Sequence, residues 1–323
     1  MKKSESISEQ NSFYSNGKLL LTGEYAVLDG AKSLAVPTKF GQDLSITPIN
    51  EPQLVWGSFT NTGECWFEAC FDLPKLRLTS ATFNSNKDGG ADTIAETLLN
   101  ILREARNLNP DFLSSAQGYI VKTTLTFPQN WGLGSSSTLL NNIAAWAKVN
   151  PFTLLWNAFS GSGYDIACAQ NDTAIFYTVT DKKPSVTPLN FNPDFKDKLF
   201  FVYLNQKQNS REGIKRYREF IATKTATEKQ NFIKTINTLT QNFSKATSIS
   251  QLNEVIAEHE QVISSIINME PVKKRLFPDY FGAVKSLGAW GGDFVLVTGD
   301  ENTPEYFKQK GFDTLLPYSK MIL

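Results

Sequence analysis

The sequence predicts an α+β protein in two parts, and three observations carry that prediction. The first 80 residues are rich in alternating, strand-like segments. Between Gly118 and Ala147 a strand, a loop of glycines and serines and an apolar-periodic helix follow one another. The second half again mixes apolar strand runs with helical periodicity. A chain of 323 residues suits about two domains with a sizeable core.

Taken in order, MKKSESISEQNS has two lysines but no apolar run behind them, so residues 1–12 are expected to be a disordered tail and not a signal peptide. Apolar residues are dense from Lys18 to Val27, and KSLAVPTKFGQDLSITPI alternates as a strand does, with Pro37 limiting any central ladder position. QLVWGSF and CWFEACFDL are further strand candidates. GGADTIAETLLNILREARNL places Ile94, Leu98, Ile101, Leu102 and Ala105 at helical spacing, closed by Asn107 and Pro110. GYIVKTTLTF alternates until Pro128 stops it. The next helix carries Leu139, Leu140, Ile143, Ala144 and Ala147 on one face, and Asn150 with Pro151 suits the cap and first turn of another, PFTLLWNAF.

DTAIFYTV reads as a strand. The proline-rich, polar run TDKKPSVTPLNFNPDFKD reads as the boundary between one domain over 13–190 and a second over 191–323. The second opens with the strand KLFFVYL. A helix from Arg211 to about Ala222, a long helical region over 227–269 and a helix around YFGAVKSLG are expected next. The strand DFVLVTG and a final helix and strand in TPEYFKQKGFDTLLPY complete the pattern.

Composition narrows the function. Lys plus Arg and Asp plus Glu both number 32, so no net field recruits nucleic acid or an anionic membrane. No run of about 18 apolar residues marks a membrane span. The three cysteines, Cys65, Cys70 and Cys168, form no CxxC pair, which argues against a zinc site or a disulfide framework and fits a reducing cytoplasm. The single histidine, His259, stands in the polar helical stretch LNEVIAEHEQVISSIINME and is expected to be solvated.

The loop NWGLGSSST is the chief chemical signal. A helix N-terminus carries N–H groups without helical partners and about half a positive charge, so it attracts phosphate. Glycines let the backbone wrap closely, and hydroxyls can reach phosphate oxygens or magnesium. Gly132, Leu133, Gly134, Ser135, Ser136, Ser137 and Thr138 supply these features, although neither a GxxxxGK[ST] loop nor a complete GxGxxG pattern is present. A glycine turn with a serine cap is the plainer reading of this loop alone.

Two further segments accompany it. SNGKLLLTGEYAVLDGA sets Lys18 directly after a glycine at the entrance to a strand and Glu24 directly after another, and SLGAWGGDFVLV sets Gly288, Gly291 and Gly292 before a strand. Together with the serine loop, in this order and spacing from residue 13 to about 298, they resemble the three motifs of the GHMP kinases, the family of galactokinase, homoserine kinase, mevalonate kinase and phosphomevalonate kinase.

The resemblance implies an N-terminal domain like the second domain of ribosomal protein S5 and a ferredoxin-like C-terminal domain. It implies an ATP- and Mg2+-dependent kinase acting on a small molecule, with ATP on the serine loop and Ser136 reaching the magnesium. GSGYDIA resembles the segment of the catalytic aspartate, here Asp165, and Lys18 matches the lysine that pairs with it. Glu24, Tyr25, Gly288, Ala289, Trp290, Gly291 and Gly292 would line the acceptor side. Such a kinase is expected to be cytoplasmic, a monomer or homodimer, without nucleic acid or membrane partners.

Some features depart from the pattern. No Asp or Glu occurs from Phe112 to Tyr164, where mevalonate kinases commonly carry a second magnesium carboxylate; either Ser136, Asp165, water and the phosphates would hold the metal without it, or another acid, such as Glu24, would replace it. Tyr25 and the GGD stretch look more like phosphomevalonate kinase, and Trp290 stands where a glycine is expected, as a lid or as core packing. Ser210, Arg211, Lys215, Arg216 and Arg218 could meet a phosphorylated acceptor or be ordinary solvated helix charge. Mevalonate is the expected acceptor and phosphomevalonate the close alternative, ahead of another GHMP acceptor such as a sugar or homoserine. A nucleotide-binding protein without catalysis, or a scaffold whose glycines are only turns, are the readings from other classes.

Overall fold

A computed structural model describes residues 11–83, 91–206 and 210–323. Of the tail expected over 1–12, residues 1–10 lie outside the described residues, and 11–12 already belong to a strand. The chain forms two compact units, and neither is one continuous stretch of sequence. The first takes Phe40–Gln129 and Ser135–Gly161 with the described end of residues 1–15; the second takes Asn16–Lys39, Asn130–Gly134 and Ser162–Leu323. Two paired strands, β1 (Asn11–Thr22) and β2 (Ser33–Ile49), therefore contribute to both.

In the first unit the strands run in the order β5 (Arg77–Phe83), β4 (Cys65–Asp72), β3 (Gln53–Phe59), β6 (Gly118–Thr124) and the latter part of β2. All neighbours are antiparallel except β3 and β6, where Leu54 faces Tyr119 in parallel register. A parallel pair needs a long crossover, and β4, β5 and α1 (Ala91–Leu108) supply it. The apolar stripe predicted for α1 is buried at Leu98, Ile101, Leu102 and Ala105. Helix α2 (Ser135–Ala147) buries Leu140, Ile143, Ala144 and Ala147. Helix α3 (Pro151–Ala158) begins as expected, with the Asn150 side chain accepting from the N–H groups of Phe152 and Thr153 and Pro151 in the first turn.

The second unit contains α4 (Tyr164–Ala169), β7 (Ala174–Thr180) and β8 (Lys183–Leu189). The early part of β2 pairs with β7, and β7 with β8, both antiparallel. Strand β8 lies in the run read as an irregular boundary. The sequence reading failed there because Pro184 and Pro188 argue against a strand interior, whereas an edge strand tolerates them. Asp181 and Lys182, both at positive φ, make the tight hairpin turn.

The rest of this unit builds a four-stranded antiparallel sheet in the order β10 (Val284–Ser286), β11 (Phe294–Thr298), β9 (Leu199–Tyr203), β12 (Leu315–Pro317). The central strands LFFVY and FVLVT are buried at every position, so they read as unbroken apolar runs. Helices α5 (Ser210–Ala222), α6 (Ala226–Lys245), α7 (Ile249–Ile267), α8 (Val272–Leu276), α9 (Thr303–Gln309) and α10 (Tyr318–Met321) complete it.

The helical region expected over 227–269 is present as two helices, parted where Ala246 leaves the helical conformation and Ser248 caps α7 by accepting from the Gln251 N–H; a Thr225 and Glu228 capping box starts α6. One expectation needs correction. The helix expected around YFGAVKSLG is instead β10, whose three residues pair with β11 between Gly282 and Gly288. The residues Val284–Ser286 extend because their backbone groups find ladder partners in Val295–Val297 of β11.

Candidate active site

The loop is divided between the units. Gly132 (φ 68°) and Gly134 (φ 91°), with Leu133 buried between them, belong to the second; Ser135 to Thr138 open α2 in the first. The hydroxyls of α2 have different surroundings. Thr138 is buried and its hydroxyl donates to Gln42 Oε1 at 2.6 Å, while Ser137 is also buried, Ser135 half-buried and Ser136 exposed. The first turn has no acidic side chain to compete with an anion. Within the first unit, Ser136 is thus the hydroxyl of this turn presented to solvent.

In the second unit β1 carries Lys18 to the glycine half of the loop and fastens it twice. The Lys18 N–H donates to Leu133 O at 3.0 Å, and Lys18 Nζ donates to Gly132 O at 3.0 Å. Its ammonium also lies 5.7 Å from the centre of the Tyr164 ring. Burial works against that charge, yet Tyr164, Asp165 and Asp293 outweigh it and its pKa is raised. Asp165 sits in the first turn of α4, after Gly163 at φ 87°, with its Oδ1 accepting from the Ile166 N–H at 3.0 Å. Tyr177 secures the preceding turn by donating to Ser162 O at 2.5 Å. Lys18, Tyr164 and Asp165 are all partly open to solvent.

Glu24 is in a different setting. It is wholly buried and forms an ion pair with Lys285, itself wholly buried, and Lys285 also lies 3.3 Å from Glu260. Glu260 accepts from both the N–H and the hydroxyl of Ser286. His259 belongs to the same cluster: its Nε2 accepts from the Gly23 N–H at 3.3 Å and stands 3.4 Å from Glu24. The expectation of a solvated histidine is therefore wrong. Helix α7 buries Leu252, Ile256, His259, Ile263 and Ile266, a single row at helical spacing. Burial raises the Glu24 pKa to about 7 against the pull of Lys285, and holds that of His259 well below its usual value. Four ionisable groups thus join the first motif's turn to α7 and β10, away from solvent.

Tyr25 makes a second tie between the first and third motifs. Its backbone is left-handed (φ 61°), its ring stacks on Tyr217 with centroids 6.1 Å apart, and its hydroxyl donates to Ala289 O at 2.9 Å. Trp290 is wholly buried in the same apolar cluster, with Tyr25, Tyr217, Ile263 and Ile267, so its ring is core packing and not a solvent-facing lid. Gly291 and Gly292 are also buried, and Gly291 O accepts from Arg275 and Gln206. On α5, Arg216 pairs with Glu212 at 2.6 Å and Arg218 with Asp29 at 2.8 Å; the side chains of Ser210 and Arg211 lie outside those described.

No protein-family model matches the chain, and no curated protein matches it by sequence. Solved structures do match. The Methanococcus jannaschii mevalonate kinase superposes with a TM-score of 0.66 at 14% identity, covering 96% of this chain and 98% of that one. The Streptococcus pneumoniae phosphomevalonate kinase in complex with phosphomevalonate and AMPPNP gives 0.64 at 15%, covering 93% and 95%. The Lactococcus lactis galactokinase complexed with galactose gives 0.64 at 14%, covering 94% and 88%. The fold is that of the GHMP kinases.

Within this GHMP fold, the second unit brings Lys18, Gly132, Tyr164 and Asp165 together, and separately joins Tyr25 to Ala289. Among the described residues no group of three or more His, Cys, Asp or Glu is placed to hold a metal ion. Glu24, the sequence candidate for a replacement metal acid, is occupied by Lys285. Sequence reasoning passed over Tyr164, Lys285 and Asp293. The last of these ends the third glycine segment, and that position was its one visible signal. No helix among the described residues is long and apolar enough to cross a membrane.

Proposed function

We propose that the protein is an ATP- and magnesium-dependent kinase of the GHMP type that transfers the γ-phosphoryl group to the hydroxyl of a mevalonate-type acceptor, with mevalonate itself as the substrate. The observation that carries this reading is the solvent-accessible cluster in which Lys18 is held on the carbonyl of Gly132, a loop glycine, beside Tyr164 and Asp165. Phosphoryl transfer asks for such a pairing of a carboxylate with a fixed cation.

In this mechanism Asp165 accepts the proton of the acceptor hydroxyl as its oxygen bonds to the γ-phosphorus and the bond to the ADP oxygen breaks. Lys18 pairs its positive charge with the Asp165 carboxylate and steadies negative charge on the transferring group. The loop from Gly132 to Thr138 would hold the nucleotide phosphates, and the exposed Ser136 would offer its hydroxyl to magnesium. A bound magnesium ion would neutralise phosphate charge. Donor chemistry fits this use, since a hydroxyl and phosphate oxygens are hard ligands. Gly288, Ala289 and Gly291 shape the acceptor side, with Tyr25 holding Ala289.

Phosphomevalonate is the second reading, favoured by Tyr25 and the GGD stretch. The pairing of Arg216 and Arg218 with carboxylates weighs against it, because a phosphate on the acceptor needs uncommitted cations. The deciding experiment incubates the purified protein with ATP and magnesium and either mevalonate or phosphomevalonate, and detects the phosphorylated product. Product from mevalonate alone supports this assignment; product from phosphomevalonate alone reverses it; no product from either, with magnesium-dependent ATP binding retained, favours a nucleotide-binding protein without this catalysis.

A further inference from the structure

Asp293 has no part in the mechanism above, yet its setting is tightly specified. Its backbone lies in the left-handed region (φ 46°), which residues with a Cβ seldom occupy. Two backbone hydrogen bonds hold it there: the Asp293 N–H donates to Gln206 O at 2.9 Å, and the Leu204 N–H donates to Asp293 O at 2.7 Å. The side chain presented by this turn packs on Gly132, where an added methyl would overlap the carboxylate. The neighbouring loop residues are gripped as well. The Tyr203 hydroxyl donates to Asn130 O at 3.2 Å, and the Trp131 ring meets Phe294 edge-on with centroids 5.4 Å apart. The carbonyl of Gly132 is the group that receives Lys18 Nζ.

We propose that Asp293 is a positioning residue for Lys18, a second carboxylate that braces the Gly132 peptide and fixes the Lys18 ammonium where it serves Asp165 and the transferring phosphoryl group. Its catalytic consequence rests on the kinase reading; its physical basis is the Asp293, Gly132 and Lys18 arrangement alone. The electrostatic influence of Asp293 on Lys18, alongside that of Tyr164 and Asp165, runs in the same direction. A purely conformational role would not need the charge, because asparagine also accepts the left-handed region.

The test separates charge from backbone with Asp293→Asn. Lysines are labelled by reductive methylation with 13C and the Lys18 resonance, assigned with Lys18→Arg, is titrated by NMR in both proteins. Kinase turnover is measured in parallel. We expect the Lys18 midpoint to fall in Asp293→Asn and kcat to fall by about 10- to 100-fold, the usual weight of a charge-assisted contact, with KM for ATP little changed. A Lys18 midpoint that does not move overturns the proposal, as does an unchanged kcat in an active enzyme. Should Asp293→Asn fail to fold, Gly132→Ala, which displaces the carboxylate from its seat, is read by the same titration and the same criteria. Should the unaltered protein phosphorylate no acceptor, the kinase reading fails, while the titration still decides whether Asp293 holds Lys18.

Discussion

Gly132 is specified twice over, by a positive φ and by the carboxylate that fills the place of its missing side chain. Gly132→Ala is expected to cost about 1–2 kcal/mol of stability from the left-handed backbone. The Asp293 side chain can swing away, so the larger loss should be in turnover; a thermal melt and a kinase assay on one preparation would compare the two. Asp165→Asn should lower kcat by about 10²- to 10⁴-fold, the range for a lost general base, with magnesium-dependent binding of an ATP analogue retained in calorimetry. Wild-type turnover in that variant would remove Asp165 from the mechanism. Lys18 and Asp165 were legible in the sequence because each sits in a short, glycine-flanked segment. Tyr164 and Asp293 were not, since only the fold brings residues so far apart in the chain to one lysine.

At the scale of elements, the first motif's turn, α7 and β10 are tied by groups that no local pattern pairs. The row of α7 that buries His259 follows the helical period, and that signal was available; the acids on either side of the histidine suggested solvent instead. Lys285 was hidden because β10 is too short to show a period. The cluster predicts a particular dependence on pH. Glu24 titrates near 7 when folded against an ordinary 4.5, so the folded state binds more protons in that window and stability falls as pH rises through it. His259 acts oppositely: below about 6.5 the unfolded chain binds the extra proton, and stability rises with pH up to that value. Glu24→Gln removes the first effect and keeps the second. The melting temperature of the variant, relative to the unaltered protein, should therefore climb between pH 5 and 7. A constant difference across that range would show that Glu24 is ionised throughout.

For the whole molecule, the α+β class and most strands and helices could be read from periodicity and turn residues, whereas the contact units could not, because residues 16–39 and 130–134 leave their sequence neighbours to join the C-terminal half. Such a division depends on long-range packing, which no local window reports. Strand β8 has a further consequence. It ends its run of strands, and among the described residues no strand pairs with its outer side. Pro184 and Pro188 stand four residues apart, so the two missing N–H groups fall on the same side of the strand. An incoming strand from another molecule would find two rungs absent, which discourages self-association and aggregation in a crowded solution. A Pro184→Val, Pro188→Val double variant should melt much as the parent does yet scatter more light as its concentration is raised; if it stayed monodisperse, the prolines would not be what keeps that edge solitary.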